Sequence, residues 1–444
     1  MKRITSAILF LILLSPSLRA QVNSSVFYSN DHNIELAATF PSLLGLDRAR
    51  VQIDLLGYYA YLNSTAFSFN YLRQFISSNL LQNSDINRIS NGLSSKNRLY
   101  MGSSFRPIEL YFKIGKNLTL GAGGKLRTDL RFSFDGKLPE VLWKGNAAYA
   151  GETINLLSMD GLIESPVELY AAAALSIPNW ENISIRAGIR PKVLISYGAF
   201  QIEDSKVDLY TEENGSYFDL NYQFRANMAF PGDTLPNRFG PAMQAYTLGI
   251  DLGASVILNK TYYFSASLLD VGKMQYSMNV RNYSGSGSLR YEGIEISDLS
   301  GNLNINDSTL TASLDYNSTR ESFSTPLPSR LAIQAMYRIA RKKSNGREYH
   351  LFSAGITLIQ GLNARSTFGS QTFVSLGAHV NPGGFFNVGA NINSYNLKQW
   401  GLGANASFRL FAFRFGVGSS NIFAFTGNEP GSYGDLMISG GLNF

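Results

Sequence analysis

Six basic side chains fall where they could meet an anion. In LTLGAGGKLRTDLRFSF, Leu118 to Phe134, the residues Lys125, Arg127 and Arg131 share one parity. In ISIRAGIRPKV, Ile183 to Val193, Arg186, Arg190 and Lys192 do the same. A wall of such side chains would attract a carboxylate or phosphate head group. The competing reading is a structural network with Asp129, Asp251, Glu168 or the acids of residues 137–164, because interior charges in barrels are commonly paired. The segment GAGGK imitates a phosphate loop but fails its pattern, which needs Gly at position 119 and Ser or Thr at 126. Those positions hold Thr119 and Leu126.

Other chemistry has little to stand on. The histidines are His32, His350 and His379, and of these His379 alone lies in a well-defined alternating segment, on its polar face. No G-x-S-x-G elbow is present; the GSGS at Gly285 sits in an expected loop. With no Cys and no clustered His, no disulfide, metal or other cofactor is expected, and no catalytic site.

The elements that must position the six cations read as strands. From Leu118 to Phe134 one series is apolar (Leu118, Leu120, Ala122, Leu126, Leu130, Phe132) and the other carries Lys125, Arg127, Asp129 and Arg131. Successive side chains of a strand point to opposite faces, so this is one apolar and one charged face. Likewise Leu248, Ile250, Leu252, Ala254 and Val256 alternate with Thr247, Gly249, Asp251, Gly253 and Ser255. The pattern recurs at Val374–Val380, Phe386–Ile392 and Trp400–Phe408, where the polar face is Gly, Ser and Asn apart from His379 and no charge interrupts the apolar face. An uninterrupted apolar face is what lipid requires, since Lys or Arg there costs roughly 2–4 kcal/mol at the bilayer midplane.

The N-terminus sets the compartment. Lys2 and Arg3 precede the apolar run AILFLILL, and SPSLRA ends at Ala20, the layout of a secretory signal peptide cleaved after about Ala20. Cleavage removes Lys2, Arg3 and Arg19, lowering the formal charge of +6 by three and removing the compositional case for nucleic acid. No later segment reaches ~18 consecutive apolar residues, so no helical span is expected. The last residues, GDLMISGGLNF, place Leu436, Ile438, Leu442 and Phe444 on one face. This ending resembles the signal that outer-membrane barrels present to their insertion machinery. At ~9–11 residues per spanning strand, the length suits about 14 strands.

The fold class expected is therefore all-β: a transmembrane antiparallel β-barrel of about 14 strands. Residues 1–20 would be the signal peptide, 21–47 a candidate N-terminal plug, and 48–444 the barrel. Alternation fails over 137–164 and 279–325, which read as long loops, the first with room for short helices. A soluble secreted β-protein is the lesser alternative.

Several stretches carry a resemblance: YTLGIDLGASVILNKTYYFSASLLDVG from Tyr246, TPLPSRLAIQAMYRI from Thr325, and KGNAAYAGETINL with PVELYAAAALSI after it. They resemble an uncharacterised family of Bacteroidota outer-membrane proteins, similar in turn to the long-chain fatty acid transporter group. That resemblance implies 14 strands, an N-terminal plug and, in some relatives, a place in protein secretion systems. The Asn-Pro-Ala stretch common near the start of such proteins is replaced here by LAATFPSLLGL, Leu36 to Leu46. The resemblance supplies no ligand or catalytic residues.

Two functions follow as expectations. One is an outer-membrane barrel, set in lipid, that binds or passively transports a hydrophobic or anionic amphipathic molecule. The other is a non-transporting barrel that docks cell-envelope or secretion-system proteins.

Overall fold

The computed structural model describes residues 35–46, 49–65, 97–138, 140–141, 145–177, 182–230, 243–291, 315–342, 344, 348–363, 372–425 and 433–444. The expected signal peptide, and residues 21–34 of the expected plug, lie outside these.

Alternating segments pair only with neighbours that alternate in phase, and here they do so all the way round. Fourteen antiparallel strands close into a barrel. They are β1 (Val51–Ser64), β2 (Asn97–Arg106 and Glu109–Ile114), β3 (Leu118–Asp135), β4 (Thr153–Ile177), β5 (Ile183–Thr211) and β6 (Phe218–Ala229 and Ala245–Leu258). Next come β7 (Tyr262–Val271, Lys273–Tyr276 and Val280–Tyr291) and β8 (Asn317–Thr319, Phe323–Pro326 and Arg330–Lys342). The last six are β9 (Glu348–Gly361), β10 (Thr372–Val380), β11 (Phe386–Tyr395), β12 (Gln399–Leu410), β13 (Phe413–Ser419) and β14 (Tyr433–Asn443). The break within β2 and the second break within β8 fall beside Pro107 and Pro328, which have no N–H to give a ladder. Closure is made by β1 against β14, from Gln52 opposite Asn443 to Asn63 opposite Tyr433. A closed ring leaves no unpaired edge, which is the condition for a sheet to cross hydrocarbon.

The two faces separate as the alternation requires. Leu248 is 73% exposed and Ile392 52%, both on the outside. Tyr262, Tyr337, Phe385, Phe411, Phe413 and Phe444 are also exposed and lie near the end that holds the short turns 115–117, 259–261 and 411–412. Aromatic girdles mark membrane interfaces, and short turns mark the periplasmic side of such barrels. Ile392 stands between Leu376 and Leu402 in the ladder. Ile392→Arg is therefore expected to destabilise the inserted barrel by about 2–4 kcal/mol, read from urea unfolding out of lipid vesicles.

Two expected loops are shorter than the sequence suggests. Within 137–164, strand resumes at Thr153, and within 279–325 it runs from Val280 to Tyr291. In the first, the register shift at Asn155/Leu157 inserts a residue into β4, and those at Met159/Gly161 and Glu164/Pro166 insert one into β5 opposite it. The second, VRNYSGSGSLRY, pairs with Phe218–Ala229 without a shift but carries polar residues on both faces.

Residues 35–46 run inside the ring. A short helix α1 (Glu35–Thr39) is followed by a 3-10 turn, Pro41–Leu43. Phe40 and Leu43 pack with Tyr59, Tyr61, Tyr100, Phe373, Tyr395 and Tyr433, which come from five strands on one side of the lumen.

Candidate functional site

The opposite side of the lumen is charged. In-phase pairing of β3, β4, β5 and β6 sets Lys125 opposite Glu168 and Arg190 opposite Asp251. All six basic residues singled out from sequence are at least nine-tenths buried. Lys125 lies 3.2 Å from Glu168. Arg127 contacts Asp129, Asp270 and Glu168 at 3.3, 3.4 and 3.5 Å. Arg190 holds Asp251 at 2.6 Å. Lys192 reaches Asp270 at 2.5 Å, Asp251 at 2.7 Å and Glu168 at 3.7 Å. Arg131 stands apart, 3.5 Å from Asp160, whose side chain is 47% exposed.

Arg186 behaves differently. No carboxylate pairs with it among the described residues. Its Nε donates to the Ser42 carbonyl at 2.8 Å and its Nη2 to the Leu44 carbonyl at 2.6 Å. Arg190 adds a bond from Nη2 to the Ala38 carbonyl at 2.6 Å. The polar side of the lumen thus grips the internal segment by its backbone, while the aromatic side packs its side chains. Ser42 also shares a 2.6 Å hydroxyl contact with Ser255.

The wall itself is shaped for this segment. A Cβ placed on Gly188 would lie 2.3 Å from the Pro41 carbonyl carbon, so nothing larger than glycine fits. Gly188→Val should dislodge residues 41–42, by an overpacking term of about 1–3 kcal/mol or more, since the clash is with backbone. Phe40 is 1% exposed. Chymotrypsin should leave it intact in the folded wild type and cut it in the variant.

Sequence parity missed the acid at the centre of the network. In β7 Leu268 faces out, so strict alternation would send Asp270 out as well. Instead Asp270 takes φ 54°, and both Leu269 and Asp270 are buried. It receives Lys192, Arg127 and Arg330 (3.0 Å from Nη2), and its backbone N–H donates to Asp251 at 2.7 Å. An acid at a lipid-facing parity is itself the available signal, because no carboxylate is left in hydrocarbon. Arg330 and Arg106 were missed with it.

Ten basic and eight acidic side chains are buried among the described residues. Beside α1 the imbalance is local: Arg106, Lys125, Arg190 and Arg330 with Glu109 and Glu168 surround a cavity of ≈ 30 Å³. That space suits a water molecule or two and no organic ligand. Glu109 is also engaged by the hydroxyls of Tyr111 and Tyr170. His379 faces inward, 3.3 Å from the Asn387 side-chain oxygen. Among the described residues, no group of three His, Asp or Glu could hold a metal ion.

No curated protein matches the chain. Among solved structures, the toluene transporter TbuX of Ralstonia pickettii is similar at TM-score 0.44 and 9% identity, over 92% of this chain and 93% of that one. The toluene transporter TodX of Pseudomonas putida gives TM-score 0.43 and 9% identity, with 97% of each chain covered. The translocator domain of the autotransporter NalP from Neisseria meningitidis gives 0.32 and 10%, over 92% of this chain and 94% of that one. Residues 41–420 match the model of a family of unknown function, DUF5723, and the chain belongs to that family.

Proposed function

We propose that this chain is an outer-membrane barrel that binds an anionic amphipathic small molecule and passes it when the internal segment moves. The observation that carries this reading is the two-sided lumen. An aromatic wall stands opposite a cluster with more cations than anions, and residues 35–46 lie between them as a plug. An amphiphile's tail and head would find matching surfaces on displacing that segment. The head would compete for the guanidinium of Arg186, whose present partners are neutral carbonyls. A charged oxygen is the stronger acceptor for such a donor. Export by a signal peptide and insertion guided by Phe444 belong to the same proposal.

A second reading has its own support. Beside α1 the internal segment and the side chains around it leave ≈ 30 Å³ of free space. A filled barrel suits an anchor that docks envelope proteins through its loops.

Calorimetry on the chain in nanodiscs separates the two, with empty nanodiscs as the reference. Saturable binding of a medium-chain fatty carboxylate, and weaker binding of the alcohol of equal length, supports passage of an anionic amphiphile. Absence of saturable binding by either compound leaves the docking reading.

A further inference from the structure

The outer surface carries a concavity that the lumen chemistry does not use. It has a volume of ≈ 610 Å³ and crosses six neighbouring strands, from Leu118 on β3 to Leu331 on β8. Its origin is a register of small residues. Ala187 pairs with Ala254, and Ala254 with Ala266, so three methyl groups stand side by side facing out. Behind them Gly188 and Gly253 rest against Pro41 and Ser42. The wall can therefore lie close to the internal segment, with little projecting outward across three strands. Leu175, Ile189, Leu252 and Leu268 form the sides, and no charged residue lines the space.

Two exposed lysines stand on the short-turn rim beside this concavity. Lys116 precedes Leu118 by two residues, and Lys260 sits in the turn that joins the strands carrying Ala254 and Ala266. Both are exposed. Backbone bonds tie these turns into one rim: Asn117 accepts from Ser176 at 2.7 Å, Asn182 from Asn259 at 2.8 Å, and Thr261 from Arg338 at 2.8 Å. The described residues of turns 115–117 and 259–261 include no acid. From Ala254 down to Leu258 is four residues, roughly 13 Å of strand. That is within the reach of an acyl chain hanging from a head group at the turn.

We propose that the concavity and this rim form a binding site for one anionic phospholipid of the periplasmic leaflet. One acyl chain fills the space over Ala187, Ala254 and Ala266. The phosphate sits at Lys260, and Lys116 strengthens the attractive field. Hydrocarbon is the medium that this face meets in a bilayer, which selects an acyl chain over a polar occupant, and the lysines select negative head groups. The inference rests on the reading of the chain as a membrane barrel.

The test uses the full mature chain refolded into nanodiscs of equal phosphatidylcholine and phosphatidylglycerol. It is then transferred to detergent, and the retained lipids are counted by native mass spectrometry. One phosphatidylglycerol should be retained in preference. Lys260→Gln should cut that preference by about fivefold. Ala254→Phe should abolish retention by filling the space, with Ala266→Leu as a smaller change if the first variant does not insert. Equal retention of the two lipids by the wild type, indifference to both kinds of substitution, or a second protein copy in place of lipid would overturn the proposal. A chain that never acquires the heat-modifiable mobility of a folded barrel would instead overturn the membrane reading.

Discussion

Arg186→Ala combined with Arg190→Ala is expected to turn a silent barrel into one that conducts. The wild type should show little or no current in planar bilayers, because Phe40, Leu43 and the aromatic wall close the lumen around residues 35–46. Three bonds from guanidinium groups to the Ala38, Ser42 and Leu44 carbonyls hold that segment on its polar side. A hydrogen bond to a charged group contributes ~1.5–3 kcal/mol, so losing three weakens the hold by at least ~4 kcal/mol. That raises the released population by about a thousandfold. Burial of Phe40 and Leu43 opposes release by ~1.5–3 kcal/mol each, so openings should be frequent rather than permanent. Arg131→Ala is the control, since the Arg131–Asp160 contact lies away from the internal segment. Silence of the double variant, in a barrel that is otherwise folded, would discard the gating role of these two arginines.

Much of the fold was legible because lipid enforces a strict rule. Each outward position in β6, β10, β11 and β12 must be apolar, so the period of two survives in the sequence undisturbed. Legibility fails where that enforcement stops. In β4 the extra residue at Asn155/Leu157 breaks the parity, and Pro166 reads as a loop residue although it lies in strand. In Val280–Tyr291 both faces are polar, which removes the contrast on which the reading depends.

The candidate site was legible by the same rule and obscured by the same exception. Lys125, Arg127, Arg186, Arg190 and Lys192 lie on regular stretches, so parity alone points them inward. Which of them grip the internal segment and which pair with acids depends largely on contacts across strands, as far as 152 positions apart for Arg190 and Ala38. No local pattern encodes that. Asp270 was hidden by a single left-handed residue, and it is the acid that joins β3, β5 and β8.

That position makes Asp270→Asn the most damaging isosteric change expected in the barrel. Asparagine keeps the shape and loses the charge, leaving Lys192, Arg127 and Arg330 gathered around a neutral amide. Breaking a buried pair from one side costs ~3–5 kcal/mol, because the stranded charges remain desolvated. With a urea dependence of ~1–3 kcal/mol per molar, the unfolding midpoint from lipid vesicles should fall by at least ~1 M. Asp160→Asn provides the comparison. Its carboxylate is half exposed and screened, so loss of the contact with Arg131 should change stability by no more than ~1 kcal/mol. Adding Arg330→Gln to Asp270→Asn should recover part of the loss, because one stranded cation goes with it. If Asp270→Asn proves as mild as Asp160→Asn, the lumen is wetter than its burial implies, and the network is held by solvent as much as by its own acids.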